Sequence, residues 1–151
     1  DEKVYLTAMG EGKKQFPNDA SIQFMLVDYH FLRKEYDEVE KCMATTIKEL
    51  GEDGNLWMLN AVMRMTAGKL DAADEAYHNS IRLEPDILNH HSVGFQIAAQ
   101  RKDYPEVVRR LQAASKALGE PIALVASENE ALNAARESSE YKEYAANLKL
   151  K

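Results

Sequence analysis

The side chains able to bind a metal or act as nucleophiles are few: His30, His78, His90, His91 and Cys42. Neighbouring residues on a helix point about 100° apart, so His90 and His91 cannot grip one ion together. His30 and His78 fall in different segments, and one cysteine allows neither an internal disulfide nor a cysteine-rich zinc site. With no histidine near it in sequence, Cys42 reads as a small buried thiol rather than a nucleophile. Asp71, Asp74 and Glu75 crowd a helix start, where carboxylates suit the positive end of the dipole. No phosphate loop, dinucleotide loop or nucleophile elbow is present. The expectation is therefore no enzyme, no cofactor and no metal, which leaves the chemistry of a binding surface.

Charge and hydropathy narrow the partner. The chain has 151 residues, 45% of them hydrophobic, enough for one domain with a full core. A net charge of -6 and a pI near 5.3 argue against nucleic acid or an anionic membrane, both of which demand a basic face. The basic stretch from Arg101-Lys102 to Arg109-Arg110 is too isolated to reverse that. No apolar run approaches the roughly 20 residues of a membrane-spanning helix, so no membrane insertion is expected. The sequence starts at Asp1 rather than Met, and a trimmed or processed product, soluble as written, is expected. Compartment is not legible from these residues.

The elements that would present such a surface repeat. Glu35-Tyr36-Asp37-Glu38-Val39, Lys69-Leu70-Asp71-Ala72-Ala73 and Asp103-Tyr104-Pro105-Glu106-Val107 open helices at intervals of 34 residues. Val39, Ala73 and Val107 share one column, followed by Met43, Tyr77 and Leu111, then Thr46, Ser80 and Ala114, then Ile47, Ile81 and Ser115. Their spacing of three and four lays them on one helical stripe. The small column predicts a level at which a neighbouring helix comes close. Breakers keep the same beat: Pro17 and Pro85 lie 68 residues apart, as do Leu50-Gly51-Glu52 and Leu118-Gly119-Glu120. Short turns fall at 33–35, 67–69 and 101–103.

In its second unit the chain resembles the tetratricopeptide repeat family, through Trp57, Ala61, Gly68, Ala73, Tyr77, Ser80 and Pro85. The units on either side match through Tyr36, Tyr104 and the columns above, and lack the turn glycine. The resemblance implies an all-α fold, an α-α superhelix of antiparallel helix pairs forming a single domain. Its parts would be a half repeat at 1–16, repeats at 20–52, 54–86 and 87–120, and a degenerate repeat or cap at 121–151. Residues 1–16, with Tyr5 and Met9 on the repeat's columns, would be a lone second helix closed by Pro17. Helices are expected over Ile122 to Arg136 and from Ser139 onward, with Glu128, Asn129, Glu130, Lys142 and Lys149 facing water at the end of the stack.

The family implies that the first helix of each pair lines an inner groove. These helices are expected over Ala20 to Arg33, Asn55 to Thr66 and Ile87 to Gln100, each about 20 Å long. Two registers are open. One sets Gln23, Trp57 and His91 on the family's large aromatic column; the other sets Ile22, Leu56 and His90 there and Gly94 at a small position. The second is favoured. It buries Met25, Tyr29, Leu59 and Met63 toward the outer helices, frees Trp57 and Arg64 for the groove, and spares Asn60, Arg64 and His30 from burial.

Under both registers Phe24, Phe31, Met58 and Met65 lie on or beside the inner wall. The expected groove comprises Phe24, Val27, Phe31, Trp57, Met58, Arg64, Met65, His91 and Phe95. The alternative for its four large apolar side chains is that they belong to the core of over-hydrophobic helices. Buried against a ligand they would contribute roughly 6 to 12 kcal/mol gross, which association costs reduce to about micromolar affinity or weaker. The family's clamp for a terminal carboxylate uses Lys and Asn, whereas the matching positions hold Phe24 or Gln23, Asp28 or Val27, and Ser92 or Val93. The resemblance thus implies a protein or peptide partner with apolar or mixed side chains, held without catalysis. Possible self-association, as a spacer within a longer array, is the alternative.

Overall fold

Lys34, Gly68 and Lys102 all take the left-handed backbone, with φ of 59°, 76° and 58°. Around each, the hydrogen bonds repeat: Glu35 N–H to the His30 carbonyl, Lys69 N–H to that of Arg64, and Asp103 N–H to that of Ala98, at 2.9 to 3.0 Å. This is the cap that satisfies the last carbonyls of a helix. Two lysines reproduce the turn that a glycine makes at the middle position, so the missing glycines did not change the geometry.

The computed structural model describes residues 2–16 and 19–148; Pro17 and Lys149 lie outside them. Among the described residues the chain is all-α, with nine helices and no strand. They are α1 (Glu2–Gln15), α2 (Ala20–Leu32), α3 (Tyr36–Leu50), α4 (Gly54–Thr66), α5 (Leu70–Leu83), α6 (Leu88–Gln100), α7 (Tyr104–Leu118), α8 (Glu130–Glu137) and α9 (Ser139–Ala146). Side chains start several of them. Asp19, Asp53, Asp103, Asn129 and Ser138 each accept a backbone N–H of the first turn, which removes an otherwise orphaned donor.

Consecutive helices pack in neighbouring pairs, α2 with α3, α4 with α5, α6 with α7 and α8 with α9. First helices also meet first helices, since α4 lies on α6 and α6 on α8, while α7 meets α9. The outcome is a helical repeat of superhelical form. Three of the four aligned columns are its core: Val39, Ala73, Val107, Met43, Tyr77, Leu111, Thr46, Ser80 and Ala114 are all buried, while Ile47, Ile81 and Ser115 are half-buried. Ser80 Oγ donates to the Gly54 carbonyl at 2.9 Å, tying the end of α5 to the start of α4.

The tightest approach joins α5, α6 and α7. A Cβ on Gly94 would come within 2.4 Å of the Tyr77 ring, so only glycine lets α6 lie this close to α5. Arg110 stacks over that ring at 4.8 Å and donates to the Gly94 carbonyl at 3.0 Å. Asp74 and Glu106 neutralise it at 2.7 and 2.6 Å. Burial works against the Arg110 charge, but these carboxylates outweigh it and raise its pKa.

The end of the chain departs from expectation. Residues 121–129 form no helix, and α8 begins only at Glu130. Ile122 and Leu124 are buried beside Phe95, Leu111 and Tyr141, whereas Val125 is 74% exposed. That alternation has the period of extended chain. Gly119, at φ 72°, ends α7, and Pro121 follows where a helix cannot continue.

Candidate functional site

The inner face is built from the first helices α2, α4 and α6. Each turns two sides to the core. On α4, Ala61 and Met65 pack with Ala73, Ala76 and Tyr77 of α5, while Leu59 and Met63 pack with Val39 and Met43 of α3. α6 repeats the division. Phe95, Ala98 and Ala99 meet α7, and Val93 and Ile97 reach back to the preceding hairpin.

What remains accessible is a wall of three columns at the 34-residue period: Phe24, Met58 and Ser92; Asp28, Val62 and Gln96; Leu32, Thr66 and Gln100. Most are half-buried; Asp28, Thr66 and Gln100 are exposed, and Leu32 is 83% exposed. Phe31 joins the apolar end, half-buried beside Val27 and edge-on to Tyr36, with ring centroids 6.1 Å apart. Apart from Asp28 and Thr66, the wall is therefore apolar over α2 and α4, and it is polar over α6. α8 extends the polar end, where Asn129 donates to Gln96 at 3.2 Å.

Of the expected groove residues, Phe24, Phe31 and Met58 share this accessible wall. Four others need correction. Val27 is 0% exposed, and Met65, His91 and Phe95 are also buried, so their side chains serve the core rather than an open surface. His91 Nε2 donates to the Pro85 carbonyl at 2.7 Å, anchoring the start of α6 to the end of α5.

The favoured register also needs correction. Trp57 is half-buried against the α4–α5 core rather than freed, and Met25, expected to be buried, is 44% exposed. Arg64 spans the joint between hairpins, donating to the Ala72 carbonyl at 3.0 Å with Glu40 at 3.5 Å. His30 is bound to Glu35 at 2.7 Å. The penalty that weighed against burying these groups is offset by their partners. Asn60 is buried as the first register requires.

Sequence reasoning passed over Leu32, Val62 and Gln96. The signal was present, because Val62 occupies the column between Asp28 and Gln96 and Leu32 that of Thr66.

The groups singled out for chemistry stand apart. Among the described residues no three of His, Cys, Asp or Glu gather as metal ligands. His90 is wholly buried, its Nε2 within 3.3 Å of Asn55 Oδ1 and 3.8 Å of a Glu84 oxygen. His78 is exposed beside Asp74 at 4.0 Å. Cys42 packs against the α2–α3 core, and burial raises its thiol pKa, which opposes thiolate chemistry. No described helix is long and apolar enough to cross a membrane. The chain matches no family model and no curated protein.

Proposed function

We propose that this chain is a tetratricopeptide-like repeat module that holds a peptide or helix of another protein against the wall of α2, α4 and α6, without catalysis. One observation carries the reading. Phe24, Phe31, Leu32, Met58 and Val62 keep accessible apolar area on the inner helices, while Val39, Met43, Ala73, Tyr77, Val107 and Leu111 of the outer helices are buried in the core. Aromatic, aliphatic and thioether groups side by side suit an apolar ligand face, and Met58 adapts to varied shapes. Asp28 at the apolar end and Gln96 and Gln100 at the other supply polar contacts that fix orientation.

The test is selection of peptides from a displayed random library on the immobilised chain. Affinities are then compared for the native protein and a Phe24→Ser, Met58→Ser, Val62→Ser variant. The expected result is a loss of at least about tenfold, with unchanged helicity by circular dichroism. Equal binding to the variant refutes the wall.

The spacer reading draws on a different observation. At the first end of the stack Val4, Phe16 and Met25 are 64%, 59% and 44% exposed, an apolar surface that a further helix or a second copy would cover. Light scattering decides it: a mass unchanged on dilution at the monomer value counts against self-assembly.

A further inference from the structure

Successive hairpins are otherwise joined by three or four residues, but between α7 and α8 lie residues 119–129, and the middle of that segment is non-helical with the two-residue burial alternation of extended chain. Its backbone is held from one side by hydroxyl groups. Ile122 N–H donates to Ser115 Oγ at 2.9 Å, and Tyr144 donates to the Ile122 carbonyl at 2.7 Å. The Tyr141 hydroxyl takes both groups of Leu124, accepting from its N–H at 3.0 Å and donating to its carbonyl at 3.1 Å. In extended chain the N–H and C=O of successive residues point to opposite edges. With 122 and 124 bound inward, Ala123 and Val125 turn theirs outward, and among the described residues neither one's backbone has a hydrogen-bond partner. The edge closes at Ser127, whose N–H and carbonyl are both taken by Asn133.

Beside this open edge is an apolar cleft of about 230 Å³, walled by residues 122–125 and by Leu88, Ser92, Phe95 and Leu132. Among the described residues no charged side chain lines it. Charge stands instead at the two ends of the segment, where Glu120 and Glu128 are exposed and, among the described residues, without ion-pair partners.

We infer that residues 121–125 are a strand-addition site for an extended partner segment with an aliphatic middle and a basic residue at each end. Main-chain bonds to Ala123 and Val125 would supply register, the cleft would take an aliphatic side chain, and Glu120 and Glu128 would pair with the basic ends. A second copy is the poorer occupant. Two such edges pairing antiparallel about Leu124 would bring Glu120 of each copy towards Glu128 of the other, and like charges brought together are destabilising. This site does not depend on the wall of α2 and α4, because neither its edge nor its cleft uses Phe24, Met58 or Val62.

The probe is a fluorescent peptide, acetyl-Lys-Ile-Val-Ile-Val-Lys-amide, titrated into the full chain by anisotropy. Two twins accompany it: one with Glu at both ends, and one N-methylated at alternate amides to remove the donors. The Lys-ended peptide should bind, with backbone amide shifts centred on Ala123 and Val125. Each twin should bind at least about tenfold more weakly, as should the Lys-ended peptide to Ala123→Pro. The Phe24→Ser, Met58→Ser, Val62→Ser variant should bind it as the native chain does. The inference is overturned by equal binding of the N-methylated twin, by equal binding of the Glu-ended twin, or by shifts centred on Phe24 and Met58. It is overturned equally if the protein alone doubles its mass with concentration while the Ala123 and Val125 amides shift.

Discussion

Exchanging residues at the hairpin turns should move stability in opposite directions at equivalent positions. A side chain forced into the left-handed region costs about 1 to 2 kcal/mol, and glycine avoids that cost but loses about 0.4 to 1 kcal/mol through its freer unfolded chain. Lys34→Gly and Lys102→Gly should therefore each stabilise by about 0.5 to 1 kcal/mol. For a chain of 151 residues that is a rise of about 1 to 4 °C in Tm. Gly68→Ala should fall by a similar amount for backbone reasons alone, because a Cβ there would meet nothing within 4 Å. Removing a lysine at a helix C-terminus also removes a favourable dipole contact. The proper comparison is therefore Lys34→Gly against Lys34→Ala, which differ only in backbone freedom. Thermal and urea unfolding followed by circular dichroism give the values, and the Lys34→Gly, Lys102→Gly double variant should be additive because the turns share no partner. If Lys34→Gly melts below Lys34→Ala, or if Gly68→Ala is neutral, the equivalence of the three turns is wrong.

Gly94→Ala should lose about 1 to 2 kcal/mol in urea unfolding, the strain of driving a Cβ onto the Tyr77 ring being only partly offset by the better helix propensity of alanine. Tyr141→Phe should leave both backbone groups of Leu124 without a partner, costing about 1 to 3 kcal/mol; hydrogen exchange at the Leu124 amide should accelerate before that of α4 or α5 does. Acid should weaken the fold through exposed carboxylates. Glu35, bonded first by Arg33 and then by His30, is held below its ordinary 4.5, and Asp37, bonded by Lys69, below 3.8. A depressed folded pKa stabilises above the unfolded value and is lost as pH falls through the folded one. Tm should therefore be level at neutral pH and decline below about pH 4.5, less steeply for Glu35→Gln and in high salt. A decline already complete at pH 6 would assign the effect elsewhere.

The period carried most of the architecture because equal spacing constrains equivalent positions whatever residues fill them. Thr46, Ser80 and Ala114 could be placed at one buried level without knowing which neighbour approaches, and Lys34 and Lys102 take the fold of Gly68 because the helices on either side fix where the chain must reverse. Residues 122–129 depart from the expected helix for a related reason. The run Ile122-Ala123-Leu124-Val125 is short enough to suit either helix or strand, and what decides is remote: hydroxyls of Ser115, Tyr141 and Tyr144 that bind its backbone in place of helical bonds.

The inner helices show the remaining gap between pattern and site. α4 buries two stripes, one against its own partner helix and one against the preceding hairpin, so apolar side chains fall on all its faces and periodicity alone cannot separate wall from core. Pairing separates them. Arg64 can lie at the hairpin joint because Glu40 and the Ala72 carbonyl meet it there, and His91 can be buried because the Pro85 carbonyl meets its ring. Once those two polar groups are assigned inward, the helical period leaves Met58, Val62 and Thr66 facing out at steps of four, and Phe24, Asp28 and Leu32 fall beside them by the repeat. The proposed ligand face on this chain is thus reached by elimination: it is the stripe that the adjacent helices cover only in part, Met58 and Val62 touching the core with one side.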